Sequence, residues 1–321
     1  LYPWHNDNKG GIVMTVNGPV NPRKIGVALA HEHVLVDFSG AENYDPAAWD
    51  QDEVVEALLP YLQELKKIGI NTFFEYTPAF LGRDPLILQR LSQKSGLNIV
   101  TNTGYYGAVD NKYLPQIVYE STADDLAEIW IKEYQEGING TGIKPGFIKI
   151  SVNPTELSPL HQKIVQAAAT THLETGLTIA SHTGPWVPAA EQLAILKQQG
   201  VHPSAFIWVH AQNEKDWDHY LEAAEMGAWV SLDGVQQDNA DQYIKRLTLL
   251  KDKGLLHKVL ISQDAGWYEP GIPWNGPKRK YTDIHSVLIP GLRANGFTDK
   301  EVAQLLKHNP MNAYTIQVRS L

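Results

Sequence analysis

Cysteine is absent from the 321 residues, which excludes disulfides, thiolate metal ligands and a cysteine nucleophile together. Any metal site must then be built from His, Asp, Glu or Lys. Long apolar runs are absent as well, and none approaches the roughly 18 residues that would span a bilayer, so neither a membrane-spanning protein nor a membrane partner is expected. Positive charge is scarce: 27 Lys and Arg stand against 36 Asp and Glu, a formal charge of −9, and the longest basic run is Lys278-Arg279-Lys280. That balance repels phosphate backbones, and nucleic acid is not an expected partner. No Pro/Ser-rich linker, low-complexity tract or close repeat divides the chain. One domain over residues 1–321 is expected, with 1–20 as an N-terminal extension and 298–321 as a C-terminal cap.

A hydrophobic fraction of 43% with 20% charged residues suits a sizeable globular core. Short apolar or β-branched runs at 26–30, 71–76, 98–103, 146–151, 177–181, 205–209, 228–232 and 258–262 read as strands. Segments of helical periodicity lie between them, near 52–68, 85–95, 122–136, 159–174, 187–199, 214–225 and 239–253. Gly69, Gly96, Gly137, Gly176, Gly200, Gly227 and Gly254 each follow such a segment, where a residue free to take positive φ closes a last turn. Eight strands alternating with helices predict an α/β fold, a (β/α)8 TIM barrel, with a long loop after strand eight (265–277) and an eighth helix near 282–295. A doubly wound open sheet is the competing architecture. The absence of G-x-G-x-x-G after the first strand counts against it.

In such a barrel chemistry collects at the C-terminal strand ends. The first strand ends in His31-Glu32-His33, and in an extended chain the two imidazoles point to one side and can grip one ion. The fourth strand carries Lys149 between Ile148 and Ile150, an ammonium that is costly to bury without a reason. The fifth ends at His182, the sixth at His210 and the eighth at Asp264. Each histidine alone is as well explained by a satisfied polar role. Together they stand at one end of five strands chosen by hydrophobicity, which favours a metal site. The other histidines, His5, His161, His172, His202, His219, His257, His285 and His308, are read as surface or structural.

These residues carry a resemblance. AHEHVLVDF at 30–38, FLGRDP at 80–85, TGYYGA at 103–108, GFIKIS at 146–151, SHTG at 181–184, WVHAQ at 208–212, SLDG at 231–234, ISQDAG at 261–266 and HNPMNAY at 308–314 resemble, in order and spacing, the amidohydrolase superfamily. The similarity is to its phosphotriesterase-like group of phosphotriesterases and lactonases. The resemblance implies two divalent metal ions. His31, His33 and Asp264 would hold one ion, His182 and His210 the other, and Lys149, N6-carboxylated by carbon dioxide, would bridge them. Zinc suits imidazole and carboxylate ligands, with manganese, cobalt and iron as alternatives. Asp264 would orient the bridging hydroxide and take its proton, so Asp264 and Lys149 are the expected catalytic pair.

The sequence also departs from that group. Where phosphotriesterases carry an Asp and a His of a proton relay, this chain has Asn213 and Gly234, and the Arg that lactonases place at Gly234 is missing too. Tyr105 and Tyr106 fall where lactonases keep a substrate-facing tyrosine. The expected substrate contacts are therefore Tyr105, Tyr106, Trp186, Trp267 and the space opened by Gly234, with Tyr268 and Trp274 completing an aromatic wall. No cluster of basic residues is expected to hold a phosphorylated sugar, with Arg83, Lys278 and Arg279 as the candidate contributors. Glu75 and Asp233 are expected to support the site, and Arg83-Asp84 to fix the start of the next helix.

A hydrolase acting on a small-molecule lactone or other carboxylic ester is the leading expectation, with organophosphates as a side activity. An amidase or sugar-specific hydrolase of the same superfamily, or a metal-containing binding protein without turnover, are the alternatives. Segments around Tyr61, Phe73 and Phe80 are the expected surface of a homodimer. A first residue Leu1 and the missing cysteines lean towards an exported, periplasmic protein, with the cytoplasm as the alternative.

Overall fold

The computed structural model describes residues 11–321, so His5 and the first half of the expected extension lie outside the described residues. Strands β1 (Ala28–Glu32), β2 (Thr72–Glu75), β3 (Asn98–Val100, resuming at Asn102–Thr103), β4 (Phe147–Ser151), β5 (Ile179–His182), β6 (Phe206–Val209), β7 (Trp229–Leu232) and β8 (Val259–Ile261) pair in parallel, each with the next. β3 is interrupted at Thr101 because it pairs with β2 up to Val100 and with β4 from Asn102. The last strand returns to the first through His31 N–H on Ser262 Oγ (2.9 Å) and Asp264 N–H on the His31 carbonyl (3.1 Å). The result is a TIM barrel.

Helices α1 (Gln51–Lys67), α2 (Pro85–Ser95), α3 (Ala123–Glu136), α4 (Pro159–Thr175), α5 (Trp186–Gln198), α6 (Asp218–Met226) and α7 (Ala240–Asp252) connect the strands, and Ile284–Leu288 and Ile289–Ala294 form the eighth. Their ends follow from local chemistry. Asp50 caps α1, Asp84 caps α2, and Thr122 with Asp125 forms a capping box on α3. Gly96 (φ 80°) and Gly176 (φ 77°) close α2 and α4 in the left-handed conformation. α6 begins four residues after the periodicity suggests, because the Glu214 carboxylate accepts the amides of Lys215 and Asp216 and holds that stretch in a turn.

Alternation along the strands sorts the core into two layers. Ala28, Ala30, Phe74, Phe147, Ala180, Ile207 and Leu260 fill the barrel interior, while Leu29, Phe73, Ile148, Ile179, Trp208 and Val259 pack under the helices. Phe73 is fully buried against Tyr281 and is therefore not available to the dimer surface expected around it. No helix among the described residues is long and apolar enough to cross a membrane.

Residues 12–20 and the C-terminal segment seal the N-terminal side of the barrel. Within residues 11–20 a hairpin of Val13–Thr15 and Gly18–Val20 buries Val13 in the interior cluster, and Ile12 bridges Ile316. In the C-terminal cap, Tyr314 stacks on Phe74 (3.8 Å), donates to the Ala30 carbonyl and touches the Tyr76 hydroxyl. His172 clasps the tail by donating from Nδ1 to Leu177 O (2.8 Å) and accepting at Nε2 from Arg319 N–H (2.9 Å).

Both ring nitrogens of His172 are thus used by a neutral imidazole, and burial lowers its pKa to about 4. A histidine pKa lowered on folding stabilises the fold above the unfolded value of 6.5, and that contribution is lost as pH falls from there towards 4. Denaturant titrations at pH 7 and pH 5 should therefore show wild type losing about 2 kcal/mol more than His172→Gln over this interval. Parallel losses in the two proteins would contradict it.

Candidate metal centre

Four imidazoles and one carboxylate meet over the C-terminal mouth of the barrel. Asp264 Oδ1 lies 3.3 Å from His31 Nε2 and 2.9 Å from His33 Nε2. Ligand atoms of His31, His210 and Asp264 all lie within 4.8 Å of one another. The His182 ring stands perpendicular to that of His210 at 4.5 Å, and His31 to His210 is 5.3 Å between centroids. Lys149 is fully enclosed below them, its Nζ over the Tyr76 and Tyr106 rings at 5.1 and 5.5 Å and 3.5 Å from the Tyr76 carbonyl.

Strand parity places Lys149 and His182 inward with Phe147 and Ala180, but not His31 or His210. Ala28 and Ala30 face inward on β1, so His31 would face out. A register shift between Leu29 and Glu32 changes the parity by one, and His31 stacks on the inward-facing Tyr76 at 3.8 Å. His210 follows the inward-facing Val209 and would likewise point away, but it adopts φ 61° at the end of β6. Asp264 adopts φ 50° after β8. Left-handed conformations at residues other than glycine cost about 1–3 kcal/mol each and persist where neighbours over-determine them. Here Asp233 accepts both the His210 backbone N–H (2.9 Å) and Nδ1–H (2.6 Å), while the Asp264 carbonyl accepts from Arg279 (3.1 Å). At β4 the carbonyl of Lys149 runs so close to Gly104 (φ 115°) that a Cβ there would lie 2.3 Å from it.

A layer of buried acids orients the imidazoles. His33 Nδ1 lies 2.7 Å from Thr77 Oγ1, which donates to Glu75 Oε1 at 2.6 Å. With Nδ1 protonated to serve that chain, His33 keeps its Nε2 lone pair for a cation held beside Asp264. Asp233, which also accepts from Ser231 and Gln212, does the same for His210. Glu32, between the two histidines, points the other way and accepts from Ser262 Oγ, from Gln263 N and Nε2, and from Ala265 N. It thereby ties β1 to the segment bearing Asp264. Of this layer the sequence flagged Glu75 and Asp233. Glu32 carried the signal of a carboxylate inside H-x-H, and Thr77 carried none.

Titration follows from burial and neighbours. Burial lowers His31 to about 4, lowers His33, and holds His182 well below the ordinary histidine value, so all three offer lone pairs. Burial works against the His210 cation too, but the Asp233 carboxylate outweighs it and raises the pKa. Burial opposes the Asp264 carboxylate, yet His31 and His33 hold it well below the usual range. Burial brings Lys149 down to about 8 and pushes the Tyr106 phenol well up. An ionised carboxylate among lone-pair imidazoles, with His31 Nδ1 buried and without a hydrogen-bond partner, is a donor set that suits a divalent cation.

The expected substrate wall is only partly assembled. Tyr106 reaches the centre, its hydroxyl 3.2 Å from His182 Nδ1. Tyr105, one residue earlier, points to the opposite face and packs in the core between Phe80 and Trp130, so it does not line the pocket. Trp267 stands 5.9 Å from His33. Trp186 instead packs on Trp208 and His219 at the start of α5. Tyr268 and Trp274 join Tyr61, Glu53 and Glu56 in a separate groove of about 660 Å³ between α1 and the last loop. Nor does Gly234 open space: a Cβ there would lie 2.8 Å from the Tyr243 hydroxyl and 3.1 Å from the Gln212 amide, which fill that volume. Of the three cations, Arg83 is buried against Glu133 (2.7 Å) and Lys278 pairs with Glu269 (3.3 Å). Arg279 alone touches the centre, at Asp264 Oδ2 (3.3 Å).

Comparison with known proteins adds an independent line. The model of the phosphotriesterase family matches residues 11–314. A phosphotriesterase homology protein of Escherichia coli is 30% identical over 89% of this chain and 96% of its own length. An aryldialkylphosphatase of Saccharolobus solfataricus is 28% identical over 92% of this chain and 97% of its own. An N-acetyltaurine hydrolase of Xenopus tropicalis is 24% identical over 96% and 99%.

Proposed function

The chain belongs to the phosphotriesterase family, and from that premise we propose that it is a metal-dependent hydrolase of a lactone or another carboxylic ester. The observation that carries this reading is the Asp264 carboxylate, ionised, 22% exposed towards the mouth, and within 3.3 Å of two imidazoles whose Nε2 atoms face it. His31, His33 and Asp264 would hold one divalent ion, zinc by ligand chemistry, and His182 and His210 a second. Lys149 would lie between as a carbamate. Its Nζ joins the carbon of carbon dioxide and releases one proton, and a lowered amine pKa supplies the neutral nucleophile this needs.

Such an ion pair, when bound, generates hydroxide near neutral pH and polarises the scissile carbonyl. The chain's own residues do the rest. Asp264 accepts the proton of the attacking water as the tetrahedral centre forms and returns it to the leaving alkoxide. Tyr106 stays protonated and donates a hydrogen bond beside His182. Asp233 and Thr77 hold His210 and His33 in one tautomer. Neither Asn213 nor Gly234 can carry a proton, which leaves Asp264 as the proton acceptor and favours esters whose leaving alkoxide departs within its reach.

A panel of lactones, aryl esters and phosphotriesters tests the reading on protein loaded with metal and bicarbonate. Lactones are expected to give the highest kcat/KM and phosphotriesters the lowest. A panel left untouched would refute it. Amide hydrolysis is the second reading, favoured by relatives whose name is N-acetyltaurine hydrolase. Turnover of N-acyl amines with inert lactones would select it.

A further inference from the structure

Arg279 touches Asp264 at the mouth and has no part in the hydrolytic reaction. The loop after β8 leaves the centre at Asp264 and returns at Arg279, pinched by a bridge between Gly266 and Arg279 in which the Gly266 N–H donates to the Arg279 carbonyl (3.3 Å). The bridge sets the arginine beside the carboxylate. Its NH1 serves both the Asp264 carbonyl (3.1 Å) and Oδ2 (3.3 Å), and its guanidinium lies 6.0 Å from the Trp267 ring centroid. Nε and NH2 make no hydrogen bond to the described residues, and the side chain is 37% exposed. On the same wall Trp267 Nε1–H is buried without a partner.

Resting on the hydrolase reading, we infer that Arg279 is a specificity-determining residue that binds a carboxylate on the substrate, a few bonds from the scissile carbonyl. The unused Nε/NH2 edge presents two parallel N–H donors, the geometry that a planar carboxylate accepts in bidentate fashion. A phosphate monoester would call for more positive charge than this wall offers, since Lys278 is held by Glu269 and Arg83 lies in the Glu133 pair. The two hydrogen bonds from NH1 to Asp264 limit the motion of the guanidinium, so less conformational entropy is lost on binding. The substrate class is then an ester or lactone bearing a second, free carboxylate.

Two 4-nitrophenyl esters of matched length test this on the metal-loaded protein: the glutarate monoester, which ends in a carboxylate, and the neutral pentanoate. Wild type is expected to prefer the glutarate ester. In Arg279→Met the ratio of the two kcat/KM values should fall about 10- to 100-fold, mostly through KM, as for loss of a charged hydrogen-bonded pair. Arg279→Lys, which keeps the charge but loses the paired donors, should fall between wild type and Arg279→Met. A ratio unchanged in Arg279→Met overturns the assignment, because a residue that only supports Asp264 would slow both esters alike.

Calorimetric titration of glutarate separates this from failure of the hydrolase reading. Binding to wild type that weakens at least tenfold in Arg279→Met upholds the carboxylate subsite even where neither ester turns over. No binding to wild type, or equal binding to both, removes it whatever the esters do.

Discussion

Asp264→Asn lowers kcat/KM on the best lactone by about 1,000- to 10,000-fold, the range expected when a general base and its orienting charge are lost together. The amide keeps an oxygen near His31 and His33, so metal analysis should still find ion at the centre while kcat collapses. The left-handed backbone at this position favours Asn as readily as Asp, so the change adds no backbone strain, and the thermal midpoint checks that the variant is folded. That combination isolates the chemical step from folding. A loss smaller than tenfold, with metal retained, would mean that another group takes the proton, and Asp264 would be reduced to a ligand.

Lys149→Ala removes metal and activity together. About two ions per chain are expected in wild type and fewer than one in the variant, because the proposed bridge supplies an oxygen to each. Turnover should fall below detection. Folding is the lesser concern here: an ammonium fully enclosed over two tyrosine rings, with only a 3.5 Å contact to a carbonyl, contributes little net stability as a cation. Lys149→Glu gives the second arm. A permanent carboxylate on a shorter stem should recover part of the metal content without any dependence on added bicarbonate, whereas wild type stripped of carbon dioxide should load poorly. Full metal content in Lys149→Ala would overturn the carbamate.

Both predictions rest on residues legible in the sequence, and the reason is topological. In a parallel barrel every strand delivers its C-terminal end to the same face, so hydrophobic periodicity that located the strands also gathered His31, His33, Lys149, His182, His210 and Asp264. The helix start fixed by Asp84 was a local matter of the same kind. The pocket was less legible. A choice between Tyr105 and Tyr106 is a choice of face, and a one-residue offset in an extended chain inverts it. A glycine reads as space only if nothing distant fills it, and Tyr243, nine residues on, does so.

By itself the sequence determined the barrel, the end at which chemistry collects and the chemical nature of the donors, because periodicity and strand-end identity are properties of short segments. Only the tertiary structure decided how those donors meet. The register shift in β1, the left-handed turns at His210 and Asp264, the Glu32 tie across the β8–β1 seam and the pinched loop that returns Arg279 to Asp264 each depend on partners far along the chain. Long-range contacts of that kind leave no periodic trace in a sequence, and here they set which atoms face the substrate.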